Sequence, residues 1–253
     1  MKISVVTITF NAEQFLPKTM QSVASQTYSN IEYIIVDGKS TDRTVEQIKE
    51  FESELKNSNS PISLRWISEP DSGLYDAMNK GLHLATGDFV WFVNAGDKIF
   101  DNQTAQHIAD AVQANPQCDV VYGQTLVIDH NDNPVGERHK IAPANLQKKH
   151  LLNGLVVCHQ SILVRKTIAP DYNLKYRVSA DYDWTCKVLE VSRQNVFING
   201  YISRFMLAGV SNANRKASWI ERFNSMRSHF GLLRTLWAHA IIIAKYPLSQ
   251  KAR

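Results

Sequence analysis

Four carboxylate-bearing stretches of this chain stand where a carboxylate could do chemistry. The first is Asp88-Phe89-Val90-Trp91-Phe92-Val93-Asn94-Ala95-Gly96-Asp97. Residues 89–93 are aromatic and β-branched, the composition of a strand covered on both faces. Asn94 to Gly96 are turn formers that stop it. Asp97 therefore stands beyond the carboxyl end of a central strand, where open α/β sheets hold their ligands. It could equally cap the element that follows. The second, Asp37, ends another apolar run. There a carboxylate can accept a hydrogen bond from a base imide N–H, or close an Asx-turn with its own loop. The third, Asp71-Ser72-Gly73, is a turn that opens a helix, whose free N–H groups can face an anion. Asp76 and Asn79 follow on one face of that helix. The fourth is the pair Asp181 and Asp183 in Ser179-Ala180-Asp181-Tyr182-Asp183-Trp184. They begin a helix, whose dipole favours negative charge there, and could serve that dipole alone.

The elements that position these groups follow from periodicity. Residues 3–10, 31–36, 64–68 and 89–93 read as strands. Residues 15–24, a segment ending at Phe51, and 74–85 read as helices between them. Strands alternating with helices at this spacing give right-handed βαβ units and a largely parallel sheet. Beyond Asp97 the pattern loosens. It predicts a helix over 104–114, a short strand over 120–122, and a strand over 126–129 leading into a hairpin turn. Residues 135–155 are polar and irregular, and read as a mobile loop over a site. A strand at 161–164, a helix at 182–191 and late strands at 196–198 and 202–205 complete the pattern.

With 44% hydrophobic and 21% charged residues in 253, the chain can bury a sizeable core. Cys118, Cys158 and Cys186 are odd in number and without a Cys-x-x-Cys, which predicts reduced, cytosolic thiols and no zinc site. The chain enters its first strand directly, with no series of charged, apolar and cleavable residues, so no signal peptide is expected. Net charge is +4 and uneven: from Arg215 onward eight Lys or Arg face one acid, Glu221, leaving about −3 for the rest. Trp219, Phe223, Met226, Phe230, Leu233, Trp237 and Ala240 recur at helical spacing as one apolar stripe, with Arg222, Arg227 and Arg234 off it. An amphipathic helix of that kind suits an anionic membrane surface. It could also pack on the body of the protein or on a second subunit. No nucleic-acid recognition module accompanies the basic tail.

Taken in order, Thr9 and Asn11, Val36-Asp37-Gly38-Lys39-Ser40-Thr41-Asp42, Asp71-Ser72-Gly73-Leu74-Tyr75-Asp76-Ala77-Met78-Asn79-Lys80-Gly81 and Asn94-Ala95-Gly96-Asp97 closely resemble family 2 glycosyltransferases. The likeness is strongest to the bacterial branch that builds colanic-acid-type and other surface polysaccharides. It implies the GT-A fold, an α/β architecture with a mostly parallel central sheet flanked by helices, over residues 1–210, and the residues beyond, 211–253, are expected as a basic amphipathic helical extension. It implies a non-processive, inverting transfer from a nucleotide sugar, UDP-linked, to a lipid-linked oligosaccharide at the inner face of the cytoplasmic membrane. The signature Gln-x-x-Arg-Trp of processive relatives is absent.

Residue by residue, the resemblance puts Asp37 on the uracil of UDP and Asp71, Asp76 and Asn79 near the nucleotide and diphosphate. It puts Thr9, Asn11, Asn94, His159 and Arg204 around the donor and makes Asp181 the general base, with Asp183 its competitor. Tyr75 and Met78 are expected in the core, Cys158 is expected to be buried, and Lys39 solvated. Asp97 matches the metal motif, which implies Mg²⁺ or Mn²⁺. The chain departs from the family where Asn94 and Gly96 replace two acids of that motif and Ala180 replaces a Glu. One carboxylate can suffice for a hard cation that substrate phosphates also hold. The alternative from another class is a nucleotide-sugar-binding protein with impaired catalysis. A sugar-nucleotide pyrophosphorylase would need a Gly-rich, basic loop after the first strand, and Thr9-Phe10-Asn11-Ala12-Glu13 is not that.

Overall fold

The computed structural model describes residues 1–138, 140–207 and 215–250. The expected boundary at 210/211 lies outside the described residues.

β1 (Ile3–Thr9), β2 (Ile31–Asp37) and β4 (Phe89–Phe92) are buried at every position, as continuous apolar runs require. β3 (Ser63–Ser68) alternates in exposure and lies at the sheet edge. β2 and β4 pair parallel to β1 on its two sides, and β3 adds parallel to β2. The chain thus leaves β1 in opposite directions. That opens a crevice beyond the carboxyl ends of β1 and β4.

Helices cover both faces. α1 (Leu16–Ala24), α2 (Thr44–Asn57) and α4 (Thr104–Ala114) bury Met20, Phe51 and Ile108 against one face. α3 (Leu74–Leu84) and α5 (Ala180–Val191) bury Met78 and Trp184 against the other. α3 lies so close to the sheet that a Cβ at Gly81 would stand 2.4 Å from Val6 Cγ1. That contact fixes where the turn opening α3 meets the strand ends.

The second half is mixed, and here the expectations need correcting. β6 (Val120–Ile128) is one strand where two were expected, and so is β9 (Asn195–Met206). The two pair in parallel, with a register shift where Tyr122 faces Phe197 but Gln124 faces Tyr201. The extra residues bulge at Asn199 and Gly200, which in sequence look like a turn. β8 (Ile162–Arg165) joins the halves, antiparallel to both β4 and β6. β7 (Pro134–Glu137) pairs with β6, and β5 (Lys98–Ile99) with β9. The path is β3-β2-β1-β4-β8-β6-β9-β5.

Residues beyond β7 do not stand off as a loop. Ala142, Leu146, Leu151 and Leu155 are buried, around a 3-10 segment at Lys148–Asn153. The apolar stripe near the C-terminus is likewise not one helix. α6 (Arg215–Phe230) and α7 (Leu232–Gln250) are divided at Gly231, whose φ of 80° is the left-handed conformation that ends helices. Met226 and Ala238 join the core. Trp219, Leu233 and Trp237 remain 48%, 82% and 71% exposed.

Candidate active site

The carboxyl ends of β1 and β2 carry the first group. Thr9 is buried and its Oγ1 has no partner. Asn11, at φ 47°, ties the end of β1 to the next loop: its N–H donates to Ser40 Oγ (2.8 Å) and its Oδ1 accepts from Thr41 N (2.9 Å). Asp37 is fully buried and accepts from Ser40 N (3.0 Å), Ser40 Oγ (2.5 Å) and Ser68 Oγ (2.6 Å). The turn-closing alternative is therefore formed, and Asp37 is first the organiser of its own loop. Asp71 accepts from Gly73 N (2.8 Å), and its other oxygen packs over Gly38. Phe10, read only as the end of a strand, is 63% exposed, its ring 3.3 Å from where a Gly38 Cβ would be. An exposed aromatic ring offers a face on which a flat group could stack. Its signal was the exposure of an aromatic at a strand's carboxyl end, which burial alone reveals. Lys39 is exposed, as expected.

Asn79 and Arg204, both expected around the donor, make contacts within the protein. Asn79 is buried and clamps the backbone of Tyr172, donating to its O (3.0 Å) and accepting from its N (2.7 Å). Arg204 stacks on the Phe100 ring at 5.2 Å. Its neighbour Phe205 lines the cleft described below, so alternation along β9 turns Arg204 to the other side. Asp76 accepts from Ser72 N (2.9 Å) and lies 3.7 Å from Lys80.

The second group gathers beyond β4. Asp97 is buried, and both its oxygens accept bonds, from Gln160 Nε2 (2.5 Å) and Met206 N (3.1 Å). Burial pushes its carboxyl up to about 7 against those two hydrogen bonds. Gln160, the residue after His159, is the side chain that holds Asp97. Asn94 Nδ2 lies 3.1 Å from His159 Nε2, while Asn94 Oδ1 is buried without a partner. Turning the amide over would only exchange which of its atoms is unpaired. His159 Nδ1 lies 3.9 Å from Asp181 Oδ2. Burial holds the imidazole below its usual range, with Asp181 opposing and Arg138 adding to the effect. Tyr75, buried as expected, donates to Asp181 Oδ1 at 3.4 Å. Asn94, His159 and Asp181 thus form one row from the end of β4 to the start of α5.

Asp181 opens on a cleft of ≈ 210 Å³, lined also by Arg138, Lys140, His159, Phe205 and Arg222. A depression of ≈ 230 Å³ between α1 and α2 is lined by Met20, Glu50 and Phe51, on the opposite face of the sheet, and no site residue reaches it. Asp183 is turned away from the cleft: buried, it meets His229 Nε2 and Lys187 Nζ, each at 2.8 Å. Among the described residues no three His, Cys, Asp or Glu converge as a metal-ligand set. The unpaired Asn94 oxygen and the Asp97 carboxylate do fit a cation that draws its other ligands from a phosphate-bearing substrate.

Known proteins resemble this chain in sequence and in architecture. A PGL/p-HBAD biosynthesis glycosyltransferase of Mycobacterium tuberculosis is 33% identical over 188 residues, 73% of this chain and 68% of the relative. Staphylococcus aureus TarS has the same fold (TM-score 0.71, 18% identity), matching 96% of this chain and 43% of its own. Its 1–349 form in complex with UDP-GlcNAc superposes with a TM-score of 0.69 at 19% identity, over 90% of this chain and 65% of that one. A mannosyltransferase of Pyrobaculum calidifontis, solved with GDP-Man and Mn²⁺, gives 0.65 at 13% identity, over 100% and 76%. The model of glycosyl transferase family 2 matches residues 4–172, and the chain belongs to that family of glycosyltransferases.

Proposed function

We propose that the protein moves one sugar from a UDP-sugar to a hydroxyl of a lipid-linked glycan, with inversion, in the making of a bacterial surface polysaccharide. The observation that carries this reading is the row Asn94–His159–Asp181, which sets a carboxylate beside the crevice at the end of β4. Asp181 takes the acceptor hydroxyl proton. The freed oxygen bonds to the anomeric carbon from the back, and the bond to the diphosphate breaks, its electron pair leaving with UDP. Neutral His159, fixed by Asn94, holds a ring N–H toward Asp181. Phe10 stacks on the base, and Asp71 and the turn opening α3 border the diphosphate. Asn94 and Asp97 would hold Mg²⁺ or Mn²⁺, whose chemistry is to neutralise the leaving diphosphate. The UDP-GlcNAc complex of TarS supports the donor class.

A transfer assay over a panel of UDP-sugars, with and without metal, tests this reading. Turnover with at least one donor is expected. Binding of UDP without transfer to any glycan would instead favour a sugar-nucleotide-binding protein.

The membrane part rests on the exposed faces of α6 and α7. Trp219, Leu233 and Trp237 stand out to solvent beside Arg227 and Arg234. No described helix is long and apolar enough to cross a membrane. A surface contact by aromatic and basic side chains fits these helices. Replacing Trp219, Leu233 and Trp237 together by Ser should release the protein from anionic liposomes and leave UDP binding intact. Failure of the unaltered protein to sediment with such liposomes at low salt would end the membrane reading.

A further inference from the structure

Arg138, Lys140 and Arg222 line the cleft next to Asp181, and they come from distant parts of the chain. The first two follow β7; the third is on α6. Lys140 and Arg222 meet over Gly154: a Cβ built there would stand 2.2 Å from Lys140 Nζ and 3.8 Å from an Arg222 guanidinium nitrogen. Among the described residues, none of the three forms an ion pair with an acid within 4 Å. Glu221, next to Arg222, is engaged elsewhere, accepting from the backbone N–H groups of Arg177, Val178 and Ser179. Lys140 donates to Asn153 O (2.7 Å) and Arg138 to Leu155 O (3.3 Å). Arg138 Nη1 and Arg222 Nε are buried with no acceptor at all. Burial, with Arg222 and Arg138 adding, pushes the Lys140 ammonium down to about 8.

Three cations crowded into a partly buried cleft repel one another, and their unfilled N–H groups lack acceptors. An anion of several oxygens would relieve both. Guanidinium forks and an ammonium are the groups that bind phosphate. The residues that border the donor site, Phe10, Asp37 and Asp71, stand at the ends of β1 to β3. The three cations are carried by α6 and the segment after β7, in the cleft that Asp181 also lines.

We propose that Arg138, Lys140 and Arg222 form a phosphate subsite for the acceptor, gripping an anionic group on it while its hydroxyl meets Asp181. This rests on the glycosyltransfer reading above. The donor's own diphosphate is the other source of the same chemistry, and the test separates the two.

Inorganic phosphate is titrated into the full chain by calorimetry, alone and at saturating UDP with Mg²⁺. Phosphate is expected to bind in both cases, and more weakly at pH 9 than at pH 7. Arg138→Gln, Lys140→Gln and Arg222→Gln should each weaken phosphate binding about tenfold or more, as loss of a charge-assisted bond implies. Their Kd for UDP should move less than about twofold, which also reports that they are folded, and Lys140→Arg should restore phosphate binding. If saturating UDP abolishes phosphate binding to the unaltered protein, the cations serve the donor and the proposal falls. Absence of phosphate binding in either condition also overturns it. A protein that fails to bind UDP at all contradicts the glycosyltransfer reading instead, and shows up in the UDP titration alone.

Discussion

Asp181 and Asp183 are the same residue type in the same helical turn, and their surroundings are opposite. Asp181 opens on the cleft, its side chain 22% exposed, with His159 and Tyr75 as neighbours. Asp183 is 4% exposed at its side chain and bound to His229 and Lys187. Two residues along a helix is a rotation of about 200°, so one acid faces the crevice and the other faces α6. The difference teaches that a first-turn acid is assigned by what lies across from it. Burial alone would raise the Asp183 carboxyl; hydrogen bonds from His229 and Lys187 outweigh it and hold it below the usual range. Asp183 is a clamp between α5 and α6, and Asp181 is the acid that opens on the cleft.

Substitution breaks this contrast most sharply at Asp181. Asp181→Asn should lower transfer by about 10²–10⁴-fold, the contribution of a general base, while Tm and UDP affinity stay near their starting values. Normal turnover in that variant would remove Asp181 from the chemistry.

Asp183→Ala should do the reverse. Removing one partner of a buried ion pair costs about 3 kcal/mol, a fall in Tm of roughly 6–12 °C for a chain of this size. Activity per folded molecule should be kept. The stabilisation from Asp183 is present above the ordinary carboxyl range and lost as pH falls through its depressed value. A flat acid limb of the Tm–pH curve in this variant, against a falling one in the parent, would confirm the clamp.

Asp97 gives a third case, with the opposite sign. Its carboxyl is raised to about 7, so the protonated form favours the fold and stability is lost as pH rises through 7. Between pH 6 and 8 this group should remove about 1.4 kcal/mol. Asp97→Asn should flatten that part of the Tm–pH curve, and it should weaken UDP-sugar binding with Mg²⁺ more than uridine binding. Equal weakening of both ligands would make Asp97 a frame residue only.

The smallest effect is expected at Ser225. Its hydroxyl reaches Asp183 at 3.4 Å, beside the two stronger contacts. Ser225→Ala should cost no more than about 0.5 kcal/mol by thermal melt. A larger loss would mean that the clamp depends on this hydroxyl as well as on His229 and Lys187.

Legibility follows the range of the interactions. β1, β2 and β4 are plain in the sequence because a strand buried on both faces must be apolar throughout. The turns at Asp37, Asp71 and Asn94 are plain because their residues dictate local backbone. Gly123, Asn199 and Gly200 look like breaks in sequence, yet β6 and β9 run through them, and only the neighbouring strand shows that the extra residues of β9 form a bulge. The C-terminal stripe has the right residues but the wrong continuity, since one left-handed glycine folds it back.

By itself the sequence determined which acids stand at strand ends and helix starts, because local propensity and periodicity act over a few residues. It determined the family too, through four short motifs in fixed order. Only the tertiary structure decided which of those acids remain open. Asn79 meets Tyr172 and Arg204 meets Phe100 across 93 and 104 positions, while Asp97 meets Gln160 across 63. Arg138, Lys140 and Arg222 share a cleft although α6 lies some eighty positions beyond the first two. Charge and hydrogen-bonding capacity are fixed by residue type. Whether they are used up inside the protein or left for a ligand depends on neighbours brought together by packing, over separations to which no local pattern extends.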